Sequence, residues 1–142
     1  MSPAPPVDER PYPVHDPDSA PFWAATAGRR LVVPHCPRCV RLHYPPAPRC
    51  VRCLRPLDTW QEVSGHGTLR AWTTVHAGLV AGLEVPYVVA EVELDEQPGL
   101  VITSNLLGAG QPRVGDRVEL QWSRPYPDGT RLPLFRPSGA PS

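Results

Sequence analysis

The chain has 142 residues, enough for one ordinary domain or two small ones. Apolar residues make up 41%, and no apolar run approaches the ~18 residues a bilayer demands, which excludes a helical membrane protein and a compositionally disordered one. The formal net charge is zero and all 14 basic residues are arginine, so Schiff-base chemistry and a P-loop, which both need lysine, are excluded.

The charge is unevenly placed. No acid lies between Asp18 and Asp58, a stretch holding Arg29, Arg30, Arg38, Arg41, Arg49, Arg52 and Arg55. From Glu84 to Glu96 the order reverses, with Glu84, Glu91, Glu93, Asp95 and Glu96 and no base. Most of the 21 prolines gather in the first 48 residues, with a second group from Pro125 on. Proline lacks the amide donor that helices and ladders use, so both ends should be extended and should drape on other surfaces or stay loose.

In chain order, residues 1–17 read as an extended arm. They lack the basic start and apolar stretch of a signal peptide, so the chain reads as cytoplasmic. Residues 18–60 read as a helix plus a small ribbon. Asp18 or Ser19 caps the helix, Pro21 suits its first turn, and Gly28 supplies the stop. Phe22 and Trp23 are neighbours on it, so one or both need a partner surface beyond the helix itself: the protein's own core, or a ligand. Leu31, Val32 and Val33 form a short strand leading into the first cysteine pair.

From Ser64 the pattern changes to period two. Strands are predicted over residues 68–75, 87–94, 100–106, 117–122 and 132–135, with Pro133 suited to an edge. Five short strands with no helical period between them predict a small antiparallel barrel, a five-stranded OB-fold over 61–137, followed by a loose tail at 138–142. The fold class is therefore mainly β: a helix, a ribbon and a barrel.

Cys36, Cys39, Cys50 and Cys53 have the spacing C-x2-C-x10-C-x2-C. Two residues between partners let a tight turn aim both thiolates at one ion, and four thiolates complete a tetrahedral zinc site with no place left for water. The predicted zinc is structural and should supply much of the ribbon's folding energy. Bound to four thiolates it carries minus two, leaving the seven-arginine stretch about five positive. A rubredoxin-type iron uses the same ligands. Two disulfides or a redox C-x-x-C are the other readings, disfavoured by the absent export signal and by the absence of alternating strands and helices. His35 and His43 flank a site already full and read as supporting or surface groups. His66, between Gly65 and Gly67, reads as a turn residue, though such a loop could also approach a ligand closely.

The ordered set Phe22-Trp23, Gly28, His35-Cys36-Pro37-Arg38-Cys39, Tyr44-Pro45-Pro46, Cys50-Val51-Arg52-Cys53, Ser64-Gly65-His66-Gly67-Thr68, Pro86-Tyr87-Val88-Val89-Ala90, Val114-Gly115-Asp116-Arg117-Val118 and Pro133-Leu134-Phe135 resembles the family long called domain of unknown function 35. That family joins a rubredoxin-like zinc ribbon to an OB-fold, and the resemblance covers roughly residues 18–137. It implies a non-catalytic subunit that assists a thiolase-like acyltransferase or a lyase of sterol side chains, in assembly and in holding acyl-CoA. A basic ribbon beside an aromatic helix suits the phosphates and flat base of coenzyme A, which points to Arg29, Arg30, Arg38, Arg41, Phe22 and Trp23; the other reading of the arginines is a solvated face that keeps the protein soluble. The alternative is a single-stranded nucleic-acid module, disfavoured by the acidic barrel half. A self-sufficient enzyme is disfavoured too: His66 and His76 have no evident catalytic partner, and no G-x-S-x-G or H-E-x-x-H occurs.

Overall fold

The computed structural model describes residues 10–108 and 110–139. The first part of the expected arm and the end of the expected tail lie outside them.

Helix α1 (Ala20–Ala27) forms where the proline and cap signals place it, but its ends are built differently. Ser19 is the N-cap residue and makes no side-chain cap. Instead its own N–H donates to Asp16 Oδ1 at 2.8 Å, so the carboxylate that organises the helix entry is Asp16 rather than Asp18. Gly28 ends the helix with an ordinary φ of −92°. The left-handed residue is Arg29, at φ 56°. Its N–H donates to Thr26 O, and the Arg30 N–H donates to Ala25 O at 3.1 Å, the double closure that satisfies the last helical carbonyls. Thr26, fully buried, accepts from the Arg131 N–H at 3.1 Å and ties the helix to the barrel's last loop.

Strands β1 (Leu31–Cys36), β2 (Arg41–Leu42) and β3 (Thr59–Val63) make an antiparallel sheet ordered β2-β1-β3. β3 crosses position 60/61, where the sequence places the change from ribbon to barrel, and it pairs with β1 from Leu31↔Val63 to His35↔Thr59.

Strands β4 (His66–Val75), β5 (Tyr87–Leu94), β6 (Val101–Leu106), β7 (Arg117–Trp122) and β8 (Pro133–Pro137) close into a barrel of order β4-β5-β6-β8-β7. This is the OB-fold order. Two expectations are corrected. The barrel is not wholly antiparallel, because β6 and β8 run parallel through Leu106↔Phe135. Nor is β8 an edge, since it pairs with β7 on its other side. Pro133 is tolerated there because it opens the strand, where a missing amide removes little of the ladder.

Gly65 and Gly67 have a packing cause. A Cβ at Gly67 would lie 2.5 Å from Glu93 O and 2.7 Å from Val92 Cγ1. One at Gly65 would meet Leu120 Cβ at 2.7 Å. The glycines thus seat β4 against its own neighbours, and His66 between them is exposed.

One core joins the two halves. Phe22, Leu31, Val33, Leu42 and Val63 belong to the same buried cluster as Leu69, Val92, Ile102, Val118 and Phe135. The β5–β6 turn adds polar clamps. Gln97 Oε1 accepts from the Leu42 N–H at 2.7 Å, and Gln97 Nε2 donates to Leu42 O at 2.9 Å. Glu96 Oε2 accepts from the Ser64 N–H at 2.7 Å. Asp95 takes two hydrogen bonds from Arg117, at 2.7 and 2.6 Å. The guanidinium beside it holds the Asp95 carboxyl below its ordinary pKa, with the positive field of His66 a smaller contribution. Much of the acidic run is therefore engaged within the fold.

The arm, from Arg10 on, packs rather than trails. Arg10 Nη1 donates to Asn105 Oδ1 at 3.4 Å, and the Tyr126 hydroxyl donates to Pro11 O at 3.0 Å. The Tyr12 ring lies 4.8 Å from that of Tyr126, and His15 stacks on Trp23 at 5.7 Å. Among the described residues no helix is long and apolar enough to cross a membrane.

Candidate metal centre and the surfaces around it

The end of β1 and two turns bring the four cysteine sulfurs within 4.8 Å of one another. Cys36 closes β1 and is buried, as is Cys50, while Cys39 and Cys53 are half-buried. The Cys39 N–H points at Cys36 Sγ and the Arg52 N–H at Cys50 Sγ, each at 3.4 Å, so backbone donors are already aimed at the sulfurs. All four thiols are free. Cys36 Sγ and Cys53 Sγ stand 3.7 Å apart, far beyond the ~2.05 Å of a disulfide. A tetrahedral ion with metal–sulfur bonds of about 2.3 Å needs sulfurs about 3.8 Å apart, so the donor set fits one. The amides of Cys53 and Arg52 draw the Cys50 thiol down to about 6. Loss of solvent, reinforced by the three neighbouring sulfurs, pushes Cys39 up to about 12. A divalent cation would relieve that mutual repulsion. Among the described residues the cluster is made of cysteines alone; His35 and His43 contribute no ligand atom. His43 is buried, and its Nε2 has no hydrogen-bond partner.

The other six singled-out residues do not form one surface. Phe22 is 2% exposed and belongs to the core, packing edge-on against Trp23 and tilted against Tyr44. Trp23 is half-buried under His15. Arg29 and Arg30 sit before β1, and Arg30 Nε pairs with Glu62 Oε1 at 2.9 Å. Arg38 and Arg41 lie past its far end, by the cysteines. Five residue rises along β1 separate the groups by about 17 Å. His66 and His76 stand at opposite ends of β4.

Two features had little or no signal in sequence. Val40 and Leu54, each following the second cysteine of a pair, hold left-handed backbone at φ 51° and 62°. A missing glycine at these turn positions was their only trace. Gln97 gave none, because its partner is backbone 55 residues away.

With this geometry in hand, similarity to known proteins can be placed. A chain of the solved "Ltp2-ChsH2(DUF35) aldolase" is 34% identical, superposes with a TM-score of 0.81, and is covered over 99% of its length by 89% of this chain. The chain belongs to the ChsH2/DUF35 family. Residues 60–123 match the family described as "ChsH2, C-terminal OB-fold domain". A DUF35 protein of unknown function from Sulfolobus solfataricus is 15% identical with a TM-score of 0.65 over 89% of this chain and 90% of its own, a likeness of fold alone. In Thermomonospora curvata, a "Probable enoyl-CoA hydratase alpha subunit" is 36% identical over 131 residues, 91% of this DUF35 chain. This chain spans 40% of that relative's length.

Proposed function

We propose that this DUF35 chain is a non-catalytic subunit of a thiolase-like acyltransferase or of an aldolase or lyase that acts on acyl-CoA thioesters, with the shortening of sterol side chains its setting. One observation carries the reading: near-complete coverage, at 34% identity, of a chain from the Ltp2-ChsH2(DUF35) aldolase. The name of the Thermomonospora relative supports a CoA thioester as substrate class. The chain's own chemistry points to a supporting role. Its thiols are gathered into one cluster, and His66 and His76 stand at opposite ends of a ten-residue strand. Zinc is the metal we assign to Cys36, Cys39, Cys50 and Cys53, because four thiolates saturate it and leave it structural. Reduced thiols agree with a cytoplasmic protein.

We assign the CoA moiety to the C-terminal end of α1, where Arg29 and Arg30 follow the helix that carries the half-buried Trp23, rather than to all four arginines at once. The oligonucleotide reading loses ground for a structural reason. OB-folds bind strands on the face that β5 and β6 provide here. Arg10 of the chain's own arm hydrogen-bonds to Asn105 on β6 there.

Purification of the tagged chain from its native host tests the proposal. A thiolase-like chain is expected in stoichiometric amount, with one zinc per chain by elemental analysis and acyl-CoA turnover only in the complex. A chain that purifies alone, or turns over acyl-CoA by itself, refutes it. Calorimetric titration of acyl-CoA into the complex should weaken on Arg29→Ala with Arg30→Ala; unchanged affinity removes the CoA assignment.

A further inference from the structure

Val40 and Leu54 hold a backbone conformation that suits glycine or asparagine, and that a β-branched valine adopts only under strain. The strain is not matched by burial. Val40 is 77% exposed, Leu54 66%, and Val51, within the second cysteine turn, 68%. Solubility and local folding alone would both favour a small polar residue or glycine at Val40 and Leu54. The second turn is held by three hydrogen bonds. Arg49 Nη1 donates to Leu54 O at 2.9 Å, the Leu54 N–H donates to Cys50 O, and the Cys50 N–H donates to Arg55 O, both at 3.0 Å. Because all four sulfurs lie within 4.8 Å, the two turns that carry these exposed side chains lie at one tip of the ribbon.

That tip is fenced by charge of one sign. Arg38 and Arg52 lie in these turns, Arg41 opens β2 after the first and Arg55 follows the second, and among the described residues none of the four has an ion pair. A rigid apolar centre inside a cationic rim is the arrangement of a protein–protein contact whose partner offers the opposite charge. Nucleic acid would meet the arginines but would leave Val40 and Leu54 without a counterpart. Of the remaining exposed apolar residues, those around Leu79 and Val85 between β4 and β5 have no arginine near them in sequence, and Val114, beside Arg113, stands alone in sequence.

We propose that this tip, centred on Val40, Val51 and Leu54, docks into an apolar recess bordered by carboxylates on the thiolase-like subunit. The proposal rests on the function proposed above. The probe is the thiolase-like chain recovered by co-purification, titrated with the full-length, metal-loaded protein at several salt concentrations. Two double variants are compared with wild type: Val40→Gly with Leu54→Gly, and Val40→Asn with Leu54→Asn. Both relieve the left-handed strain, so both should keep their zinc and melt at or above the wild-type temperature. Affinity should fall roughly tenfold or more in each. Wild-type affinity should weaken with salt, and Arg52→Gln with Arg55→Gln should flatten that dependence. Leu79→Ser should bind as wild type does. If wild type binds and both double variants bind equally well, the docking surface is wrong while the assigned function stands. If wild type binds no thiolase-like chain, the function and this surface fall together. Double variants that melt well below wild type overturn the strain argument itself.

Discussion

Replacing Gln97 isolates the join between ribbon and barrel. In the order β2-β1-β3, β2 is an outer strand, and the Gln97 amide fills its open edge as a further piece of strand would. Leu42 is 6% exposed, so Gln97→Ala leaves one backbone donor and one acceptor with little access to water. Each unsatisfied buried group costs about 1–3 kcal/mol, and partial entry of water brings the pair to about 2–4 kcal/mol. Set against a total stability of about 5–15 kcal/mol, the loss is large. Urea unfolding followed by tryptophan fluorescence reads it directly. Gln97→Glu adds a test of sign. Its carboxylate still accepts from the Leu42 N–H but faces the Leu42 carbonyl, and only the protonated acid can donate there. The folded-state pKa of Glu at this position is therefore raised, and its contribution is present below the unfolded value of about 4.3 and lost as pH rises through the folded one. Relative to wild type, the Glu variant should recover as pH falls, while the Ala variant should not. An Ala variant within about 0.5 kcal/mol of wild type, or a Glu variant indifferent to pH, refutes the reasoning.

Gly67→Ala should destabilise by about 1–3 kcal/mol, toward the upper end because the obstacle is the Glu93 carbonyl rather than a movable side chain. Gly78→Ala, with nothing within 4 Å, is the matched control in the same urea assay and should stay within about 0.5 kcal/mol. Chelation, or Cys39→Ser, should remove the metal and lower the melting temperature by calorimetry; a chelated protein with an unchanged transition means the cluster holds no stabilising ion. Asp95 is held below its ordinary pKa by Arg117, so the pair's contribution exists at neutral pH and disappears as pH falls through the folded-state value. Asp95→Asn should flatten that acid limb of the stability profile; an unchanged limb removes Asp95 from the account.

Legibility in the sequence followed range. β5 and β7 are readable to the residue because period-two alternation is local, and the cysteine cluster is readable because two short spacings define it. Closure of the barrel through the parallel Leu106↔Phe135 pair is not, since one pair leaves no periodic trace. The arginines read as one basic stretch because they are close in sequence, yet β1 holds them apart. Phe22 and Trp23 are identical in pattern, and only the packing of α1 on β1 sends the first inward and leaves the second half-exposed. Asp16 is not legible as the helix-entry carboxylate because Asp18 and Ser19 offer the more familiar spacing.

The buried cluster that runs from Phe22 through Leu42 to Phe135 has a consequence for hydrogen exchange. A ribbon with its own core could open alone and leave the barrel amides protected. Here opening the ribbon uncovers one side of the barrel's interior. The slowest-exchanging amides of β5 and β6 should therefore respond to a metal bound at Cys36, Cys39, Cys50 and Cys53, although all four cysteines lie in the ribbon. In that sense an ion bound there would set how long the barrel stays shut.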